Sequence, residues 1–130
     1  MDEKKLKVLL VEDDQMILDM YRLRFEEEGY DILVTEKGSE AIELAGKEKP
    51  DIILLDVILP EIDGFSVLQT LKADMSTKDI PILLLTNLGQ ESDKEKGMTL
   101  GASDYFIKSR HTPTDVLKKI QEITNQEITN

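Results

Sequence analysis

The sequence predicts an α/β fold built on a doubly wound parallel sheet, and three observations carry that expectation. Short runs rich in Ile, Leu and Val alternate with longer segments of helical spacing, the pattern of strands joined by crossover helices. Two of the runs, 51–56 and 80–86, are almost continuously apolar, as strands covered on both faces must be. Four runs stop at a residue with chemistry: Glu12-Asp13 after Val8-Leu9-Leu10-Val11, Asp56 after Ile52-Ile53-Leu54-Leu55, Thr86 after the run 82–85, and Lys108 after Tyr105-Phe106-Ile107.

The expected strands are 7–12, 31–35, 51–56, 80–86 and 104–108. The run Asp31-Ile32-Leu33-Val34-Thr35 is flanked by polar residues and suits a sheet edge. A first helix is expected over about 14–28, where Ile17, Met20, Tyr21 and Phe25 recur on one helical face and Gly29 is a stop signal. Asp14 is its expected cap. A second helix, about 38–48, offers Ala41, Ile42, Leu44 and Ala45, with Pro50 beyond its end; a third, about 64–73, offers Phe65, Val67, Leu68 and Leu71. The fourth, about 90–100, is weak. Gly97 inside it costs roughly 1 kcal/mol relative to Ala, and Met98 and Leu100 are among its few apolar residues. A weakly packed helix is a candidate moving part. The fifth has a clear start, with Thr112 as cap, Pro113 in the first turn and Asp115 at the capping-box position. Val116, Leu117, Ile120 and Ile123 form its expected inner face.

The 130 residues suit one compact domain, with a core over about 6–124 and a fraying tail at 125–130. The tail repeats Gln-Glu-Ile-Thr-Asn of 121–125; two copies of five residues do not make a repeat architecture. No linker rich in Gly, Ser or Pro marks a second domain. There is no Cys, which excludes disulfides, thiolate metal sites and Cys nucleophiles. No apolar run approaches the ~18 residues of a membrane span, so membrane insertion is not expected and a cytoplasmic location is. The net charge is −11, and it is uneven: residues 1–65 carry 18 acids against 8 bases, residues 66–130 carry 9 against 8. The acidic half repels nucleic acid and anionic lipid, so direct nucleic-acid binding is not expected. Solubility alone also accounts for such a surface.

Ligands of a doubly wound sheet bind beyond the carboxyl ends of its strands, near the point where strand order reverses. Glu12, Asp13, Asp56, Thr86 and Lys108 all fall at such ends. Three carboxylates in one pocket repel each other unless protons or cations compensate. Lys108 and a divalent metal together cancel the three charges. Oxygen ligands without Cys or His favour Mg²⁺, which binds one or two carboxylates together with a phosphate. The residues therefore suggest a magnesium-dependent phosphoryl site.

This set resembles the receiver domain of two-component response regulators, of the CheY-like, single-domain type. The resemblance covers about residues 6–124 and rests on Glu12-Asp13, Asp56 with Pro60 and Gly64, Thr86, Gly101-Ala102, and Tyr105 with Lys108 three residues on. It implies a flavodoxin-like five-stranded parallel sheet of order 2-1-3-4-5 with helices on both faces. It further implies that Asp56 accepts a phosphoryl group from a phosphohistidine on a sensor histidine kinase or a histidine phosphotransfer protein. Asp13, Asp56 and the backbone carbonyl of Ile58 are the implied Mg²⁺ ligands, with Glu12 acting largely through water. Lys108 neutralises charge on the transferred group, Thr86 hydrogen-bonds it, and Tyr105 rotates inward as Thr86 moves. The fourth helix, fifth strand and fifth helix then present the changed surface to a downstream protein. No enzymatic turnover is implied beyond self-phosphorylation and self-dephosphorylation; homodimerisation on phosphorylation is left open.

The chain departs from the family at three places. Ser109 follows Lys108 where Pro is usual, and Ser109-Arg110-His111 lengthens the loop by one residue, so a trans bond and a repositioned Lys108 are expected. Asn87 replaces a small residue after Thr86 and is expected to narrow access to the phosphoryl group. Ile58 and Leu88 are apolar beside the site, so slow acyl-phosphate hydrolysis is expected. His111, the only histidine, is read as a solvated loop residue. The rival readings are a receiver-like interaction module that is never phosphorylated, a haloacid-dehalogenase-type phosphatase and a nucleotide-binding domain. The phosphatase needs a second acid where Ile58 stands. The nucleotide domain needs a Gly-rich loop where Glu12-Asp13-Asp14 stands.

Overall fold

Ten elements alternate without exception in the computed structural model, which describes residues 6–86 and 91–124, the side chains of residues 91 and 92 excepted. In chain order they are β1 (Lys7–Val11), α1 (Gln15–Glu27), β2 (Asp31–Thr35), α2 (Gly38–Glu48), β3 (Ile52–Asp56), α3 (Gly64–Ala73), β4 (Ile82–Thr86), α4 (Glu91–Thr99), β5 (Asp104–Ile107) and α5 (Pro113–Thr124). The sheet is parallel throughout, with order β2-β1-β3-β4-β5, the flavodoxin-like arrangement expected. The expected tail at 125–130 lies outside the described residues.

The period of two along a strand divides the core into two layers. Leu9, Val11, Ile53, Leu55, Ile82 and Leu84 face α2 and α3. Val8, Leu10, Ile52, Leu54, Leu83 and Leu85 face α1 and α5. Every residue of β3 and β4 is buried, which explains the uninterrupted apolar runs. Both edges are more polar: β2 carries only one buried residue, Thr35, and β5 is half-buried at each end.

Helix ends follow local chemistry. Asp14 caps α1 by accepting from Met16 N at 3.0 Å and Ile17 N at 3.3 Å. Thr112 and Asp115 form a reciprocal capping box at α5, with Asp115 N to Thr112 Oγ1 at 3.2 Å and Thr112 N to Asp115 Oδ2 at 2.9 Å. Asp63 caps α3 through Ser66 N at 2.9 Å. The inner face of α1 differs from expectation. Leu18, Tyr21 and Phe25 are buried, while Met20 is 48% exposed and lines the outer face with Met16 and Leu23. The spacing 18-21-25 fits a helical stripe as well as 17-21-25 does, and only docking on the sheet chooses between them.

Glycine matters most at two positions. An ideal Cβ at Gly97, the one buried position among the described side chains of α4, would stand 2.3 Å from Leu84 Cδ1. The residue that weakens α4 as a helix thus lets its backbone settle on β4. At Gly64 a Cβ would stand 2.2 Å from the Asp56 carbonyl oxygen and 2.7 Å from Val57 Cα. The chain doubles back here, with Gly64 N donating to Val57 O at 2.7 Å. Between them Glu61 takes φ 71°, and Ile62 N donates to Pro60 O at 2.7 Å, which makes the strained form of the γ-turn.

Two substitutions in this loop should move stability in opposite directions. Gly64→Ala should lose about 3 kcal/mol, because backbone atoms cannot yield to the new methyl group. Glu61→Gly should gain up to about 1 kcal/mol by relieving the left-handed conformation. Urea unfolding at fixed pH measures both.

Candidate functional site

The order of the sheet reverses between β1 and β3, and the acidic residues emerge on either side of that break. Glu12 and Asp13 follow β1, Asp56 ends β3, Thr86 ends β4 and Lys108 follows β5. The strand ladders continue one residue into the site, through Glu12 N to Thr35 O at 3.0 Å, Val57 N to Leu85 O at 3.0 Å and Lys108 N to Thr86 O at 2.7 Å. These backbone bonds set the height of each side chain.

Lys108 joins two acids that stand 44 residues apart in the chain. Its Nζ lies 2.7 Å from Asp56 Oδ2 and 2.5 Å from Glu12 Oε1, and its side chain is only 6% exposed. Asp56 Oδ1 accepts the Ile58 N–H at 3.1 Å, and Glu12 Oε2 accepts the Asp14 N–H at 3.0 Å. The contact of Glu12 Oε1 is this ion pair; it is the buried side-chain oxygen without a further hydrogen-bond partner among the described residues. Asp13 is exposed at the mouth. Together with Asp14, Ile58 and Lys108, the three acids line a cleft of about 280 Å³.

Burial raises the Glu12 pKa to about 7; contact with Lys108 opposes the rise and the negative charge of Asp56 adds to it. Burial disfavours the Lys108 ammonium, but bonds to Asp56 and Glu12 outweigh it and hold its pKa above the ordinary lysine value. Lys108 is therefore held in its charged form, while burial makes Glu12 easier to protonate than an ordinary glutamate.

The residues fit a divalent cation. Glu12, Asp13 and Asp56 each offer a carboxylate oxygen, all within 4.8 Å of one another. One ammonium does not balance three carboxylates, and Glu12 Oε1 has only that shared ammonium for a partner among the described residues. An all-oxygen donor set of this kind suits a hard ion such as Mg²⁺.

The remaining residues take varied positions. Thr86 is fully buried and Tyr105 is 9% exposed, within the cluster that includes Leu84 and Ala102. The bond from Lys108 to Ser109 is trans, as no cis bond occurs among the described residues. Lys108 nonetheless reaches both acids, so the altered loop does not withdraw it from the cleft. Asn87 and Leu88 lie outside the described residues. The reading of His111 as a solvated loop residue is corrected. Its ring is partly buried, edge-on to Phe106 with centroids 4.9 Å apart, and Nδ1 lies within hydrogen-bond distance of the Ile107 main chain, 3.2 Å from N and 3.0 Å from O. A lone histidine in a polar loop gives no sequence signal for this contact. Nor does the sequence reveal that the Ile58 N–H binds Asp56.

Comparison with known proteins agrees with this geometry. The response regulator receiver domain matches residues 8–121, nearly the whole chain, and the protein belongs to that family. Receiver domains are the signalling phosphoacceptors of two-component systems. The chain is 40% identical over 117 residues to the DNA-binding dual master transcriptional regulator RpaA of Synechocystis sp., covering 90% of this chain and 47% of that protein. It spans about half the length of the curated relatives it matches. A putative response regulator from Chloroflexus aurantiacus superposes with a TM-score of 0.88 at 33% identity, covering 94% of this chain and 99% of that one. The receiver domain of a sensor histidine kinase from Pseudomonas aeruginosa has a magnesium ion coordinated in its active-site cleft. It superposes with a TM-score of 0.85 at 25% identity, with 94% and 99% covered.

Glu12 should make both stability and any binding of Mg²⁺ depend on pH, with opposite signs. Its folded pKa of about 7 lies above the ordinary 4.5, so its contribution to metal-free stability is complete below pH 4.5 and is lost as pH rises through about 7. Mg²⁺ competes with the same proton, so its affinity should rise over that interval. Urea unfolding in chelator and Mg²⁺ titration, each from pH 5 to 8, should show both slopes, and Glu12→Gln should flatten both.

Proposed function

We propose that Asp56 takes a phosphoryl group from a phosphohistidine carried by a sensor histidine kinase or a histidine phosphotransfer protein. The observation that carries this reading is the buried Asp56 carboxylate, 4% exposed, with Lys108 Nζ 2.7 Å from Oδ2 at the cleft mouthed by Asp13. An Asp56 oxygen attacks phosphorus and forms the acyl-phosphate bond. The phosphorus–nitrogen bond of the donor breaks, and the imidazole leaves with the electron pair and takes up a proton. Lys108 holds positive charge beside the transferring oxygens throughout. Glu12, Asp13, Asp56 and the carbonyl of Ile58 would hold Mg²⁺, which when bound neutralises further charge on those oxygens.

Thr86, at the end of β4, then bonds a phosphoryl oxygen, and Tyr105 on β5 responds to its movement. The phosphoryl group favours one of two pre-existing arrangements. The surface of α4, β5 and α5 changes with it and meets a protein target. The acidic first half of the chain favours such a target over nucleic acid, whatever the DNA-binding relatives do with the half of their length not matched here. The departure at Ser109 favours a second reading, an interaction module that is never phosphorylated.

Acetyl phosphate with Mg²⁺ separates the two. Intact mass should show the gain of one phosphoryl group, lost in Asp56→Asn and slowed in Lys108→Met; an unchanged mass in the wild type supports the second reading. The Ile58 side chain is 55% exposed yet has no polar atom to orient an attacking water. The acyl phosphate should therefore persist for minutes or longer and decay faster in Ile58→Asn. Loss within seconds in the wild type would contradict this.

A further inference from the structure

Ile107 is the last residue of β5, and β5 is an outer strand. Thr86 O accepts from Lys108 N, so the register with β4 turns the N–H and C=O of Ile107 itself away from the sheet. An outward peptide next to the lysine that serves the cleft would normally be left to solvent. Here the chain folds back and occupies it. Ile107 O accepts Arg110 N at 2.9 Å and His111 N at 3.0 Å. His111 Nδ1 lies 3.2 Å from Ile107 N and 3.0 Å from Ile107 O; because that carbonyl already accepts from Arg110 N and His111 N, the N–H is the group left for the imidazole, which assigns Nδ1 as acceptor and the ring proton to Nε2. The ring packs edge-on against Phe106, whose side chain is buried in the layer beneath α1 and α5. Ser109 and Arg110 are exposed, and neither side chain makes a hydrogen bond or ion pair among the described residues.

We propose that His111 is a positioning residue for Lys108. It closes the open edge of β5 at the peptide just before the lysine and ties that peptide to the core through Phe106. Ile107 is then held on one side through the Lys108–Thr86 bond and on the other by the imidazole. The height and direction at which Lys108 enters the cleft are set from both sides. Lys108 must reach Glu12 and Asp56 together, at 2.5 and 2.7 Å, and a strand end free to fray would not hold one ammonium at two such short distances. The effect on phosphorylation rests on the proposed role of Asp56; the effect on Lys108 does not.

The test separates the hydrogen bond from the packing. His111→Phe keeps a ring against Phe106 and removes the acceptor; His111→Asn keeps an acceptor on the same branch atom and removes the ring. In the metal-free wild type, NMR should show a coupling through the hydrogen bond from the Ile107 amide nitrogen to His111 Nδ1. The Lys108 Nζ signal should stand apart from those of exposed lysines. In His111→Phe that signal should move to the exposed position, and phosphorylation by acetyl phosphate with Mg²⁺ should slow by roughly tenfold to a hundredfold, as for a misplaced charged group. His111→Asn should retain most of both, with urea unfolding confirming that each variant is folded. An absent coupling in the wild type overturns the proposal. So does an unmoved Lys108 signal in His111→Phe, or an equal loss in both variants. If the wild type takes up no phosphoryl group, the reading of Asp56 fails, and the coupling and the Lys108 signal still decide the role of His111.

Discussion

One ammonium holds the cleft together. Three carboxylates within 4.8 Å of one another are mutually repulsive, and two of them, Glu12 and Asp56, are buried. Removing charge from water costs several kcal/mol per ion after relaxation, and Lys108 recovers part of it for both acids at once. Compensation is incomplete: Glu12 shares the single ammonium with Asp56, and burial still raises its pKa to about 7. The metal-free site is therefore electrostatically tense, and a hard cation or a proton relieves it. The rest of the buried interior is mainly Leu, Ile and Val, with Phe, Tyr and Ala.

The scaffold suits that tension because backbone ladders, not side-chain packing, place the charged groups. Parallel strands present their carboxyl ends on one rim, and the ladders run one residue past β1, β3 and β5. Gly64 allows the loop after Asp56 to turn back onto Val57 at a distance no side chain tolerates. The strained turn at Glu61 belongs to the same loop. Strain and uncompensated charge thus meet around the end of β3, where the surrounding strands are most deeply buried.

The two faces of the sheet are not equally firm. On one, α1 and α5 anchor Leu18, Tyr21, Phe25, Val116, Leu117 and Ile120 into a single cluster. On the other, α2 and α3 pack with full side chains, but α4 rests on Leu84 through Gly97 and lays Lys96 over the Phe65 ring at 4.6 Å. A helix held by a glycine and an exposed cation–π contact has little to lose by shifting. It is the element that follows β4, the strand that ends in Thr86.

Periodicity and punctuation were enough to locate nearly every element. The continuous apolar runs of β3 and β4, Asp14 at the start of α1, and the pairing of Thr112 with Asp115 are local features, and local physics determines them. The convergence of Glu12, Asp13, Asp56 and Lys108 was also legible, because strand ends of a parallel sheet share one rim whatever their separation in sequence. What only the tertiary structure decided depends on facing surfaces. Leu18 rather than Met20 turns inward because the sheet selects one of two adjacent stripes. Gly97, a liability in an isolated helix, becomes the contact that admits Leu84. His111 is indistinguishable from a solvated loop residue until Ile107 presents an outward N–H and Phe106 a buried ring. Such contacts join residues whose patterns carry no mutual signal, and they exist only once the chain has closed on itself.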